Sequence, residues 1–201
     1  MSQRPYMIGI AGGSCSGKSS LASRLSGLAD GQLGVLGVDS YYRDFSGVAD
    51  NEIEVDVPEA LDHELLIAQL AELAAGRPVD RPVYDYRTHS RRTGEGLRME
   101  PGDFVVVEGL FALYWEAVRN LLDLSVFVTV DHEAALARRI ERDVRERGRT
   151  EASVRAQYSD KVRPNFEHFV EPTMELADLV VNGLDSVEVS ARTVLGHMSR
   201  E

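Results

Sequence analysis

An apolar run, Tyr6 to Ala11 (YMIGIA), stops at the segment Gly12-Gly13-Ser14-Cys15-Ser16-Gly17-Lys18-Ser19. Apolar residues resume at Leu21, Leu25 and Leu28 with helical spacing. The segment matches G-x-x-x-x-G-K-[ST] between a predicted strand and a predicted helix, the context that gives this pattern a mechanism. Glycines let the backbone curl into a concave nest whose N–H groups point at phosphate oxygens, and the helix N-terminus adds partial positive charge. Lys18 is placed to neutralise the β- and γ-phosphates of a nucleotide, and the Ser19 hydroxyl to ligate Mg²⁺. The stretch from Gly12 through Ser20 is therefore read as an ATP-binding loop. Such a loop restricts the fold to a parallel sheet flanked by helices, with the ligand at the carboxyl ends of the strands.

The rest of the chain agrees with that frame. Strands are predicted at Gly34 to Val38, at Phe104 to Val107 (FVVV, apolar throughout as in a buried parallel strand), at Leu124 to Val130 and at Ala177 to Val181. Helices are predicted from Lys18 to Ala29, from Pro58 to about Ala75, from Leu110 to Leu122, from Ala134 to Arg147, from Glu151 to Val170 and at the C-terminus. Residues 39–57 read as irregular. Val79 to Tyr86 and Arg92 to Met99 flank a polar turn, a β-hairpin inserted on the α/β frame. The expectation is a single domain over residues 1–201, a three-layer P-loop NTPase-type α/β fold with a parallel sheet, a hairpin insertion at about 79–99 and a helical lid at about 138–157.

Composition narrows the partners. The chain has 201 residues, 43% hydrophobic, enough for one ordinary core. Its net charge of −11 argues against nucleic acid, whose binding needs a basic surface. The arginines gather instead in two islands, Arg87 to Arg98 and Arg138 to Arg149, which point to a local anion site. The lone Cys15 excludes an intrachain disulfide. No apolar run reaches the roughly 20 residues of a membrane span, and no signal-peptide pattern precedes the first strand. A cytoplasmic protein without membrane or nucleic-acid partners is expected, with a homo-oligomer left open.

Two acids stand where strands end. Glu108 follows FVVV, as a Walker-B-type acid acting on the metal directly or through water would. Asp39 closes the second strand in GVDSYY, across the cleft from the transferring phosphate, where a carboxylate can take the proton of an acceptor hydroxyl. Read alone, Asp39 would sooner be a turn or N-cap aspartate, and Cys15 a small tolerated side chain rather than a redox-sensitive thiol. No N-K-x-D segment for guanine is present, and the chain is short for a motor or helicase ATPase. An arginine-rich helix in the C-terminal third looks like the lid of a small-molecule kinase, which closes over phosphates and excludes water.

At this point the motifs are specific. GIAGGSCSGKSS, VDSYYRD, DVPEALD, PVYDYRTHSR, VVVEGLFALY, RRIERDVRERGR, QYSDKVRPNFEHFVEPT and LADLVV follow one another from Ile8 to about Val181. In this order they resemble the uridine kinase (uridine-cytidine kinase) family, within the wider group that contains phosphoribulokinase and pantothenate kinase. The resemblance implies that Asp39 is the catalytic base and that Tyr42 packs near the nucleoside. It implies that Asp56 holds the ribose hydroxyls with Arg139 beside it, and that Tyr84, Tyr86 and His89 line the pyrimidine pocket. Arg142 and Arg149 correspond to lid arginines facing ATP, and Gln157 to a substrate-side contact. Where the family reads N-F-D-H-P, this chain has Glu54-Val55-Asp56-Val57-Pro58, keeping the aspartate and replacing its aromatic and histidine neighbours by valines. The implied reaction is Mg²⁺-dependent transfer from ATP to the 5′-hydroxyl of uridine or cytidine. A kinase of another small alcohol, or a nucleotide-binding regulator without turnover, are the rival expectations.

Overall fold

The computed structural model describes residues 4–29, 31–48 and 53–198. Part of the irregular stretch expected at 39–57, residues 49–52, lies outside them. Five strands form one parallel sheet: β1 (Tyr6–Gly12), β2 (Leu33–Gly37), β5 (Phe104–Glu108), β6 (Leu124–Thr129) and β7 (Leu179–Asn182). Their order is β2-β5-β1-β6-β7. β1 is central, pairing Ile8 with Val106 on one side and with Leu124 on the other. The chain leaves it toward β2 across β5 and later returns to β6 on the opposite flank, so the loop after β1 opens at the switch point of the sheet.

Alternation along these strands builds two cores. Ile8, Ile10, Val106, Val126 and Val128 face helix α1 (Lys18–Leu28) and the C-terminal helix Val187–Met198, burying Leu21, Leu25 and Val194. Met7, Ala11, Val105, Val107 and Phe127 face the other way, onto Phe111, Val170 and helix α2 (His63–Ala74) with its Leu66, Leu70 and Leu73. Strands β3 (Val79–Asp85) and β4 (Ser90–Met99) make the expected antiparallel hairpin as a separate small sheet. Among the described residues no helix is long and apolar enough to cross a membrane.

Three helical expectations need correction. The helix placed from Pro58 begins at His63, because Asp62 accepts from the Leu65 N–H at 3.2 Å and caps it, while Pro58–Ala60 is a separate 3₁₀ turn. The helix placed over Leu110 to Leu122 shrinks to one turn, α3 (Glu116–Arg119). The Arg119 guanidinium donates to the Leu113 and Tyr114 carbonyls at 2.8 Å each, taking acceptors that a continuous helix would use. The run expected over Glu151 to Val170 opens as α5 (Glu151–Gln157) and then widens to π turns at Tyr158–Val162 and Phe166–Val170. These flank Pro164, which has no N–H for a regular ladder. Before them α4 (His132–Arg147) is capped by Asp131 and stopped by Gly148, whose φ of 64° lies in the left-handed region.

Candidate active site

One cavity of about 1410 Å³ lies along the carboxyl ends of the sheet strands. Its floor is the loop between β1 and α1. Gly12 has φ 142°, and a Cβ there would stand 2.3 Å from the Val128 carbonyl oxygen, so only glycine lets the loop leave the sheet so closely. Gly13 packs beneath the aromatic ring of Phe166. Residues 14–20 line the cavity, with Cys15 itself at a positive φ of 62° and Gly17 at 110°. The Ser16 hydroxyl is buried with no hydrogen-bond partner among the described residues. Lys18 is buried, and its ammonium donates to the Gly13 carbonyl at 2.7 Å, folding across the mouth of the loop. Burial lowers its pKa, opposed by the negative charges of Glu108 and Asp39. Ser19 donates to Glu108 Oε1 at 3.1 Å, so the hydroxyl and the strand-end acid predicted for a metal are in contact. Burial holds the Glu108 carboxyl above the ordinary carboxylate range, with Lys18 pulling the other way.

The opposite wall comes from the 3₁₀ turn Val38–Tyr41 after β2 and from the hairpin. Asp39 Oδ2 accepts a hydrogen bond from the Tyr86 hydroxyl at 2.9 Å. Tyr42, Tyr84 and Tyr86 form a cluster, with ring centroids 5.4 Å apart for Tyr42–Tyr84 and 5.2 Å for Tyr84–Tyr86. Tyr42 and Tyr86 line the cavity, whereas Tyr84 does not; it stands behind them. Burial pushes the Tyr84 phenol up to about 12, and its hydroxyl is buried without a partner among the described residues. His89, at the hairpin tip with φ 50°, lines the cavity, and its Nδ1 is buried with no partner among the described residues. Asp56, Val55 and Ile53 complete this wall. Burial raises the Asp56 pKa, with Arg139 opposing and Asp39 reinforcing the rise.

The roof is α4 and the start of α5. Arg139 donates to the Ser14 hydroxyl at 2.9 Å and to Gln157 Oε1 at 3.2 Å, joining α4 and α5 to the loop after β1. Arg149 donates to the same Gln157 oxygen. Arg142 lines the cavity and bonds Asp143 at 2.8 Å. All the sequence-predicted residues except Gly12, Gly13 and Tyr84 therefore line one cavity.

Sequence reasoning passed over three others. Arg138 ties the phosphate loop to the segment after β7, donating to the Cys15 carbonyl at 3.3 Å and the Gly183 carbonyl at 2.9 Å. Arg147 lies over the Tyr86 ring at 5.4 Å. Asp143 is fully buried among arginines. The one aspartate set among the arginines of RRIERDVRERGR was the available signal for Asp143; the other two depend on contacts between distant segments.

The phosphoribulokinase / uridine kinase family model matches residues 7–190. The chain belongs to this family. Among relatives, it is 37% identical over 209 residues to a uridine kinase of Streptococcus equi subsp. zooepidemicus, covering 98% of this chain and 100% of the relative. It is 42% identical over 183 residues to a uridine kinase of Lactococcus lactis subsp. lactis, covering 89% and 88%. In fold it is similar to phosphoribulokinase from Rhodobacter spheroides, with TM-score 0.66 at 16% identity over 89% of this chain and 70% of that one. As a kinase of this family the chain takes ATP as phosphate donor, and the buried, lysine-closed loop is the part of the cavity suited to its phosphates.

Proposed function

We propose that this kinase transfers the γ-phosphoryl group of ATP, with Mg²⁺, to the 5′-hydroxyl of a pyrimidine nucleoside, uridine or cytidine. The observation that carries the reading is the acceptor wall. Asp39 already accepts a hydroxyl proton donor, Tyr86, at 2.9 Å, and on the same cavity His89 Nδ1 is a buried polar atom without a partner among the described residues. Unpaired buried polar groups are costly, and a ligand that satisfies them gains affinity and specificity. A pyrimidine edge against His89, with Tyr42 and Tyr86 as its aromatic wall and the ribose diol on Asp56, fits that requirement. Tyr84 acts from behind by fixing those rings. The attacking hydroxyl replaces Tyr86 at Asp39, which takes its proton as the new O–P bond forms and the bond to the ADP oxygen breaks. Lys18 and the lid arginines neutralise charge on the transferring oxygens. The Ser19–Glu108 pair, 3.1 Å apart, suits a hard oxygen-seeking cation that keeps water and phosphate ligands, and Mg²⁺ there would neutralise the β- and γ-oxygens. ATP as donor and a free thiol in the loop, Cys15, suit the cytoplasm.

The test is kcat/KM for uridine, cytidine, adenosine and a non-nucleoside alcohol, with His89→Ala beside the wild type. Both pyrimidines are expected to react and adenosine poorly. His89→Ala should lower pyrimidine kcat/KM about tenfold, the scale of one lost hydrogen bond to a buried group. Turnover of the non-nucleoside alcohol alone, or a His89→Ala enzyme as good as wild type, would overturn the nucleoside assignment.

A further inference from the structure

Asp143 lies on α4 with its side chain fully buried, and four arginines converge on its two oxygens. Arg142 Nε donates to Oδ1 at 2.8 Å, and Arg147 Nη1 stands 3.6 Å from the same atom. Arg139 Nε is 3.5 Å and Arg149 Nη1 3.8 Å from Oδ2. The main chain of Asp143 serves the same end, its carbonyl accepting the N–H groups of Gly148 and, at 3.2 Å, of Arg149 where α4 stops. Four guanidinium groups thus share one buried carboxylate, a concentration of positive charge in a chain whose net charge is −11.

Each arginine then points somewhere else. Arg139 reaches the phosphate loop at Ser14, Arg149 reaches Gln157, and Arg147 lies over Tyr86, which holds Asp39. Arg142 spends Nε on Asp143, and among the described residues its terminal nitrogens have no other partner. A guanidinium is a rigid fork, so fixing one edge fixes the direction of the other. Without a central anion the four forks would repel one another and turn toward water. Asp143 Oδ2 and Arg139 Nε are both buried and stand 3.5 Å apart with no hydrogen bond among the described residues, so charge rather than a hydrogen bond holds this pair.

We propose that Asp143 is a positioning residue for phosphoryl transfer: it holds the arginine fan in the orientation that meets the transferring phosphate, without touching substrate. The proposal rests on the reading of Arg142 and Arg149 as facing the donor phosphates. It does not depend on which alcohol accepts the group. The carboxylate also tempers the fan's charge, so its loss should damage the transition state, which needs aimed donors, more than ground-state ATP affinity, which needs only positive charge.

The test is steady-state kinetics of Asp143→Asn and Asp143→Glu, with ATP and whichever alcohol the wild type phosphorylates fastest. Asp143→Asn should lower kcat about 10- to 100-fold, the usual cost of losing a group that orients another, with KM for ATP changed less than about threefold. Asp143→Glu, which keeps the charge, should recover part of kcat. Arg142→Lys tests the same idea with Asp143 intact, even if its variants do not fold. Lysine keeps the charge but cannot hold Asp143 and reach a phosphate at once, so Arg142→Lys should be as slow as Arg142→Ala within about threefold. A folded Asp143→Asn with unchanged kcat, a loss confined to KM for ATP, or near-wild-type turnover by Arg142→Lys would each overturn the proposal. A wild type that ignores uridine but phosphorylates another alcohol would count against the nucleoside reading alone.

Discussion

At the scale of single residues, the contact between Tyr86 and Asp39 organises the acceptor side. The Tyr86 phenol is held well above its ordinary pKa by burial and by the Asp39 charge, so it stays a proton donor to the carboxylate, the place that the proposed reading gives to an acceptor hydroxyl. Tyr42 is shifted the same way by burial, then by Asp39 and Asp56, so the wall presents neutral rings around two acids. If Asp39 receives the acceptor's proton, Asp39→Asn keeps the shape and removes the base. We expect kcat to fall by about 10²–10⁴, the usual worth of general-base catalysis, with ATP affinity nearly unchanged. Single-turnover rates beside an ATP titration would check this, and a loss below about threefold would reduce Asp39 to a turn residue.

At the scale of elements, the proposed lid is a helix end, a glycine turn and a second helix start. Thr150 caps α5 by accepting the Ser153 N–H at 3.2 Å, and Gly148 supplies the left-handed residue between the helices. A Cβ on Gly148 would meet nothing within 4 Å, so Gly148→Ala is a nearly pure test of backbone strain. The left-handed conformation costs an alanine about 1–2 kcal/mol. Because α4 and α5 carry few core side chains, that cost should appear locally. Hydrogen exchange is expected to speed up over residues 143–157 in Gly148→Ala without nucleotide and to be slowed again by ATP, while the sheet strands keep their protection. Equal protection of this segment in both proteins and in both ligand states would show that it is no lid.

At the scale of the whole molecule, the cavity gathers charges that the fold must desolvate. Asp56 and Glu108 are both raised by burial from ordinary values of 3.8 and 4.5. For such acids the sign is opposite to that of a salt-bridged carboxylate. As pH climbs from about 3.8 toward the raised folded value of Asp56, the unfolded chain has released its proton while the folded chain still holds it, so stability falls with rising pH. Exposed acids paired with arginine, such as Glu72 and Glu188, are lowered and work the other way, losing stability as pH falls. The contribution of Asp56 is therefore read as a difference. Thermal midpoints of ligand-free wild type and Asp56→Asn between about pH 4 and 7 should diverge, the variant gaining on the wild type as pH rises. A constant difference across that range would contradict desolvation as the cause.

What the sequence determined was whatever depends on neighbours along the chain. The phosphate loop, the buried strands read from apolar runs such as Tyr6 to Ala11, the hairpin and the arginine-rich helix were all legible. Each rests on local sterics, local hydrogen bonds or periodicity. The tertiary structure decided what depends on residues far apart. It turned most of the segment after Glu108 out of a helix through the Arg119 side chain, put Tyr84 behind the wall rather than on it, and set Arg138 between Cys15 and Gly183. It also selected Asp143, from an ordinary charged helix, as the buried centre of four arginines. A helical sequence shows which charges share a face, but only packing removes water from one of them, and desolvation is what makes that carboxylate strong enough to direct its neighbours.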